Sequence, residues 1–158
     1  MFGSVREACD PTLGVLQRRW GWWHGRIPLS ADLCSPPPAP SPAPVAASAP
    51  AAATDPVTVP LRLPGGRRGP DPAALALAVR APAELAACRN DIAAALDEHR
   101  RASAVPPLTT PAVPIGLAVI TFERRRTLEL AYRVPWDDEH TLGARVRDGV
   151  LLELCGSI

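Results

Sequence analysis

The stretch LELAYRVPWDDEHTLGARVRDGVLLELCGSI, residues 128–158, carries the clearest structural signal in the chain. Apolar residues occupy every second position over three runs, which is the period of a half-buried β-strand. An acidic segment separates the first two runs, and an Asp-Gly turn separates the last two. The stretch therefore predicts three antiparallel strands that share one apolar face. The residues of that face are Leu128, Leu130, Tyr132, Val134, Trp136, Leu142, Ala144, Val146, Val150, Leu152 and Leu154.

The second of the two turns has two candidate lengths. A two-residue turn at Asp148-Gly149 would set Ala144 opposite Glu153 and mix the two faces of the sheet. A three-residue loop, 147–149, keeps apolar residues opposite one another, because paired residues of an antiparallel ladder share a face. It also places Gly149 where a bulged turn needs a positive φ. We therefore predict the three-residue loop.

The first turn contains the segment DDEH, residues 137–140, which we call the acidic knot. A three-residue loop here pairs Trp136 with His140 and Glu129 with Arg147. A loop two residues longer would bring two arginines directly opposite each other, which is an unfavourable like-charge pair. We therefore predict the shorter loop, with Trp136 and His140 packed as an inward-facing pair.

Length, charge and hydropathy exclude several classes of protein. At 158 residues the chain can bury a real core, although its 20 prolines indicate that part of it lies outside that core. A formal net charge of +1 gives no basis for nucleic-acid binding through bulk electrostatics. No apolar run approaches the roughly 20 residues that span a bilayer, and the first 20 residues lack the features of a signal peptide. We therefore expect no nucleic-acid partner and no membrane association.

The four cysteines, Cys9, Cys34, Cys88 and Cys155, are scattered and form no CxxC pair. They lack the spacing of a zinc finger, so neither a metal nor another cofactor is predicted. Free thiols in a reducing environment are the expected state, and we predict a cytoplasmic protein. A Cys9–Cys34 disulfide would require an oxidising compartment.

The segment WGWWHGRIPL, residues 20–29, alternates like a strand and contains three tryptophans. Trp23 falls on one face, whereas Trp20 and Trp22 fall on the other, so a one-sided core cannot hold all three. The tryptophans either anchor the sheet or form an exposed aromatic patch for a partner. We assign residues 1–34 to the main domain as a tryptophan-rich strand segment.

The segment 35–56, SPPPAPSPAPVAASAPAAATDP, has no aromatic residue, and Asp55 is its single charge. Such a segment cannot bury enough apolar surface to offset the entropy lost on ordering. We predict a disordered linker biased towards polyproline II, which acts either as a passive spacer or as an SH3-type ligand.

Alternation resumes over 57–63, and the glycine-rich loop PGGRRGP, residues 64–70, follows it. Asp71 at the N-cap and Pro72 at the first helical position predict the start of a helix. A strand, a glycine-rich loop and a helix also suggest a phosphate site. Asp71 disfavours that interpretation, because it places negative charge where the anion would lie.

The first helix is expected to reach about Val79 and to break or kink at Pro82. A second helical segment, 83–100, carries an apolar stripe that ends at His99. Its many alanines suit a close approach to a sheet.

A further strand, 115–122, and a charged turn, 123–126, lead into the C-terminal strands. The sequence therefore predicts an α+β fold, an antiparallel sheet with a kinked helix or helix pair packed on one face. The main domain spans 57–158, and the disordered Pro/Ala-rich linker precedes it.

The segments GWWHGRIPL, VPLRLPGGRRGPDPAALALA and LAYRVPWDDEHTLGARVRDGVLLELCGSI together resemble a family of small uncharacterised bacterial proteins. That family carries a C-terminal domain of unknown function with a W-D-x-E-H-x-L-G strand-turn signature. The resemblance covers most of the chain outside the linker, and it implies no activity. The matching positions are Trp136, Asp137, Glu139, His140, Leu142 and Gly143, with Asp148 and Gly149 at the following turn.

Two functional hypotheses of different class follow from these residues. The first is a non-enzymatic binding or accessory protein, for instance an immunity-type inhibitor, that engages a protein partner. The second is a small metal-dependent or acid/base hydrolase that uses Glu139 and His140, with His99 or His24 as a third group. We predict the binding protein, because no HExxH, nucleophile-elbow or EF-hand pattern is present, and we assign no catalytic residue. The candidate binding residues are Trp22, Trp136, Asp137, Asp138, Glu139 and His140.

Overall fold

Eight strands of the described chain lie in one sheet, and their spatial order is their order in the chain. The computed structural model describes residues 6–30, Leu33, 56–103 and 110–156. The predicted linker, 35–56, lies outside the described residues apart from Pro56. The elements are β1 (Arg6–Asp10), β2 (Gly14–Arg19), β3 (Trp22–Leu29), β4 (Val57–Pro64), α1 (Pro72–Ala87), α2 (Arg89–Ala102), β5 (Val113–Phe122), β6 (Arg125–Val134), β7 (Asp137–Arg147) and β8 (Val150–Gly156).

The predicted fold class is wrong, because the sheet is mixed and strands dominate the structure. β4 and β5 are parallel, with Leu61 opposite Leu117, and every other pair of neighbours is antiparallel. The helices α1 and α2 form the crossover that a parallel pair requires. Strand accounts for 55% of the described structure and helix for 26%. Alternation does not reveal β1 and β2, because Leu16 is their one buried residue.

The core lies on the face of the sheet that α1 and α2 cover. Trp23 and Ile27 of β3 lie opposite Leu63 and Val59 of β4, and all four are at most 2% exposed. Three alanines on the buried side of α1 allow the helix to approach the sheet closely. The buried residues of α1 are Ala74, Leu77, Ala78, Ala81 and Leu85.

The helix α1 begins where the sequence predicts. The Asp71 side chain accepts a hydrogen bond from the backbone N–H of Ala74 at 2.9 Å, and Pro72 opens the first turn. The predicted break at Pro82 is wrong, because the helix continues to Ala87. Burial of the helix on either side of the proline outweighs the loss of one backbone donor.

The β7–β8 hairpin has the two-residue turn, so the predicted three-residue loop is wrong. Asp148 and Gly149 form this turn with φ values of 53° and 72°, as a type I′ turn requires. Further along the ladder the register shifts, so that Ala144 lies opposite Leu154 and not Glu153. This β-bulge restores the pairing of apolar residues that the longer loop was expected to provide.

The register of the β6–β7 hairpin also differs from the prediction. The predicted pair of Trp136 and His140 is wrong, because Trp136 lies in the turn itself. Glu129 lies opposite Arg145, two residues from the predicted Arg147. This register joins Glu129 to Arg145 in an ion pair of 3.0 Å and leaves the apolar residues of both strands on the core face.

We expect Asp71→Ala to lower the free energy of unfolding by about 1 kcal/mol at pH 7, because the helix loses its N-cap. Asp71→Asn keeps a capping acceptor and should lose less. Hydrogen bonds from Ala74 and Arg126 hold the pKa of Asp71 below its ordinary value of 3.8. The contribution of the carboxylate is therefore present above pH 3.8 and is lost as the pH falls through the lowered pKa. Urea unfolding at several pH values measures both effects, and wild-type stability in Asp71→Ala would refute the cap.

Candidate functional site

The acidic knot forms the first four residues of β7, beside the register shift that follows the turn at Pro135 and Trp136. Asp137 Oδ1 accepts hydrogen bonds from the backbone N–H of Glu139 at 3.2 Å and of His140 at 3.1 Å. The same oxygen lies 3.0 Å from His140 Nδ1. Asp138, Glu139 and His140 are exposed. The Asp137 carboxylate thus binds backbone amides two and three residues further on, which is a common structural role of aspartate.

The hydrogen bond between Asp137 and His140 sets the charge of the pair. It raises the pKa of His140 above its ordinary value and lowers the pKa of Asp137. His140 does not face inward beside Trp136 as predicted, because 71% of its side chain is exposed. The predicted candidate residues of the knot therefore lie together, but without Trp136 against the imidazole.

Trp136 contacts a different histidine, at the end of α2. Its indole Nε1–H donates to His99 Nδ1 at 3.1 Å, and the two ring centroids are 6.5 Å apart. Because Nδ1 accepts this bond, neutral His99 carries its proton on Nε2. The contact fastens the β6–β7 hairpin to the helical layer.

The three histidines are not assembled into one site. His24 lies on β3, His99 ends α2 and His140 belongs to the knot. Among the residues that the structure describes, no group of three His, Cys, Asp or Glu side chains is arranged to hold a metal ion. The groups that the hydrolase hypothesis combines are thus distributed over separate parts of the fold.

A groove of about 260 Å³ lies on the face of the sheet opposite the helices. Gly116, Ala118 and Ala131 form part of its lining, and their small size creates the hollow. Glu129 and His24 also line it. His24 Nε2 is buried and makes no hydrogen bond with any described residue.

Glu129 is 5% exposed and belongs to a cross-strand ion-pair network. Arg145 Nε donates to Glu129 Oε2 at 3.0 Å, and Arg145 Nη1 donates to Glu153. The bond to Glu129 raises the pKa of Arg145. Gly143 makes room for the network, since a Cβ there would lie 3.1 Å from the Glu129 side chain. This network was not predicted, because the predicted register places Glu129 opposite Arg147 and not opposite Arg145.

The turn between β2 and β3 presents two tryptophans to solvent. Trp20 and Gly21 form a two-residue turn with φ values of 46° and 88°, and Arg19 pairs with Trp22 across it. Trp20 is 97% exposed and Trp22 is 37% exposed. We call Trp20, Gly21 and Trp22 the aromatic tip. Of the two predicted roles of the tryptophans, Trp20 and Trp22 form an exposed aromatic patch, whereas Trp23 anchors the sheet in the core.

The glycine-rich loop 64–70 folds back over Trp23, next to the aromatic tip. Trp23 Nε1 donates to the Gly66 carbonyl at 3.1 Å. A Cβ on Gly65 would lie 2.7 Å from the Trp23 ring and 2.6 Å from the backbone of Pro70, so only glycine fits there. The loop therefore has a packing role, and its arginines 67 and 68 are exposed.

Comparison of the chain with protein-family models, with curated proteins and with solved structures found no match in any of the three. The resemblance to the bacterial family with the W-D-x-E-H-x-L-G signature therefore stays a prediction. Within the described ranges, none of the helices combines the length and apolar character needed to cross a membrane.

We expect an NMR titration to give His140 a pKa above 6.5, because the Asp137 carboxylate stabilises the imidazolium. Asp137→Asn should return that pKa towards 6.5, and added salt should weaken the shift, since both groups are exposed. The stabilisation from the pair is present below pH 6.5 and is lost as the pH rises through the raised pKa of His140. An unchanged His140 titration in Asp137→Asn would contradict this geometry.

Trp136→Phe should lower the free energy of unfolding by about 1 kcal/mol, because it removes the donor to His99 from a half-buried site. Trp22→Phe is the matched control and should change stability by less than about 0.5 kcal/mol, because Trp22 is exposed. Chemical denaturation of both variants measures the difference. Equal stability of the two would show that the contact between Trp136 and His99 contributes nothing.

Proposed function

We propose that this chain is a small non-enzymatic binding protein that docks a protein partner through the aromatic tip. The observation that carries the proposal is Trp20, which is 97% exposed and has a φ of 46°. Bulky residues rarely adopt a positive φ, and doing so costs on the order of 1 kcal/mol. At this exposure the indole returns almost no burial energy to the fold. A side chain that costs stability and packs against nothing is well suited to an intermolecular contact.

Tryptophan is also the residue type best suited to that contact. It is enriched among the residues that dominate binding energy, because it buries a large area at a small loss of conformational entropy. Trp22 lies beside Trp20 and adds a second aromatic surface to the patch. The type I′ turn fixes the backbone of the tip, so less backbone entropy is lost on binding.

The acidic knot supports the proposal less strongly than the tip. The carboxylate of Asp137 already accepts hydrogen bonds within the knot, whereas Asp138 and Glu139 are free to contribute charge. A hydrolase built on Glu139 and His140 gains no support from the fold, because His24 and His99 lie in other elements. An immunity-type inhibitor is one member of the class of binding proteins that we propose.

The variant Trp20→Asn distinguishes an effect on stability from an effect on partner binding. Asparagine adopts a positive φ readily and is common in type I′ turns, so the variant should unfold with a free energy at least about 0.5 kcal/mol higher than wild type. The same variant should capture its partner from lysate of the producing cells about 30-fold less tightly, as expected for a binding hot spot.

Val113→Asn is the matched control, because Val113 is 45% exposed at the opposite end of the sheet. It should retain the partner. A loss of stability in Trp20→Asn would show that the indole supports the fold. Undiminished capture by that variant would show that the partner binds elsewhere.

A further inference from the structure

Arginine side chains from distant parts of the chain lie at the same end of the sheet as the aromatic tip. The register places Arg6 and Arg18 on the face of Trp23, and Arg19 on the other face, opposite Trp22. The loop after β4 adds residues 67 and 68 at the same end, where Arg6 Nη1 donates to the Arg67 carbonyl at 2.6 Å. We call this set the arginine rim: Arg6, Arg18, Arg19, Arg67 and Arg68.

Within the part of the chain that the structure describes, the arginine rim lacks directly paired carboxylates. None of its five members forms an ion pair with a carboxylate of the described residues. Arg19 instead donates to the side-chain oxygen of Gln17 at 3.0 Å, and Gln17 in turn donates to the Glu7 carboxylate at 3.0 Å. Arg18 Nε is buried without a hydrogen-bond partner among the described residues. The hairpin at 123–126 continues the positive charge along the same end, with Arg126 paired to Asp71.

Folding explains only part of this concentration of charge, since Arg6 fixes the Arg67 carbonyl but no carboxylate of the described residues forms an ion pair with the rim. The whole chain has a formal net charge of only +1. The positive rim therefore arises because arginines are concentrated at one end of the sheet, and not because the chain is basic overall. Like charges held together repel one another and lower stability unless something of opposite sign binds them. Guanidinium groups bind carboxylates through two parallel hydrogen bonds, and arginine is favoured for that purpose at interfaces.

We infer that the partner presents an acidic segment of protein to the arginine rim, with an apolar side chain seated on Trp20 and Trp22. This inference rests on the proposed function, for which it supplies the chemistry of the partner. The loop after β4 reaches back to β1, where Arg6 donates to the Arg67 carbonyl, so the rim is contiguous at this end of the sheet and a short extended segment can cover it.

A protein segment fits this surface better than a nucleic acid does. A long polyanion gains affinity from a wide positive field, whereas this chain is almost neutral overall and carries the acidic knot at the other end of the sheet. A short acidic segment contacts the rim alone and avoids the knot. The adjacent indoles then provide the apolar contact that a hot spot needs.

Poly-L-glutamate is the probe that tests the inference, with oligothymidylate of matched charge as the nucleic-acid comparison. At low salt we expect poly-L-glutamate to bind the full chain and to shift tryptophan emission to shorter wavelength. Arg67→Glu/Arg68→Glu should weaken that binding about tenfold or more. The control Arg26→Glu/Arg133→Glu makes the same change of charge at exposed arginines away from the rim, and it should weaken binding less than about twofold.

Several outcomes would overturn the inference. Absence of poly-L-glutamate binding, or equal loss in the two double variants, would show that the rim has no special affinity for carboxylates. Tighter binding of oligothymidylate would assign the rim to a nucleic acid. Concentration-dependent self-association of the chain alone, abolished by Arg67→Glu/Arg68→Glu, would make the occupant the acidic knot of a second copy.

The inference and the proposed function fail separately. Suppose that Arg67→Glu/Arg68→Glu no longer binds poly-L-glutamate while Trp20→Asn captures the cellular partner normally. The rim then binds carboxylates, and the proposal that the aromatic tip docks the partner is wrong. If the cellular partner depends on Trp20 but is retained by the rim variant, the tip is the docking site and the acidic character of the partner is wrong.

Discussion

Neighbouring strands must keep their apolar residues on the same face, because α1 and α2 cover only one side of the sheet. A slip of one residue in any pairing would turn a whole strand over and move its buried side chains into water. Leu128, Leu130 and Tyr132 of β6 are fully buried, so such a slip would cost several kcal/mol. The two C-terminal hairpins obey this constraint by different means. The β7–β8 hairpin has a tight turn followed by a bulge, and the β6–β7 hairpin shifts register next to its turn.

The same constraint explains which parts of the fold the sequence could predict. Strands such as β4 and β6 alternate strictly, so their apolar faces could be identified from Val59, Leu61 and Leu63 or from Leu128 and Leu130. The start of α1 could also be predicted, since Asp71 and Pro72 act within one turn of the chain. Loop lengths were wrong because preserving the apolar face requires only the right parity, and a bulge supplies that parity as well as a longer loop does.

Contacts between distant segments could not be predicted from local sequence patterns. The parallel pairing of β4 and β5 depends on how α1 and α2 return the chain, and the bond from Trp136 to His99 depends on where α2 ends. Trp22 was a predicted candidate, but its neighbours were not, because Arg6, Arg19 and Arg67 meet only through the sheet. The acidic knot was predicted as a loop, but the turn lies at Pro135 and Trp136 and the knot begins β7. Its internal hydrogen bonds depend on the rotamers of Asp137 and His140.

The two ends of the sheet thus differ in the chemistry of their exposed side chains. One presents exposed indoles near the arginine rim, which forms no ion pair with a carboxylate of the described residues, and the other presents carboxylates of which Asp137 is already hydrogen-bonded. Fluorine NMR of the protein labelled with fluorotryptophan tests the choice between them most directly, because its four tryptophans sit at both ends and in the core. On addition of the cellular partner, our account predicts that the signals of Trp20 and Trp22 shift or broaden while those of Trp23 and Trp136 stay in place. A change confined to Trp136 would place the partner at the acidic knot and contradict the account.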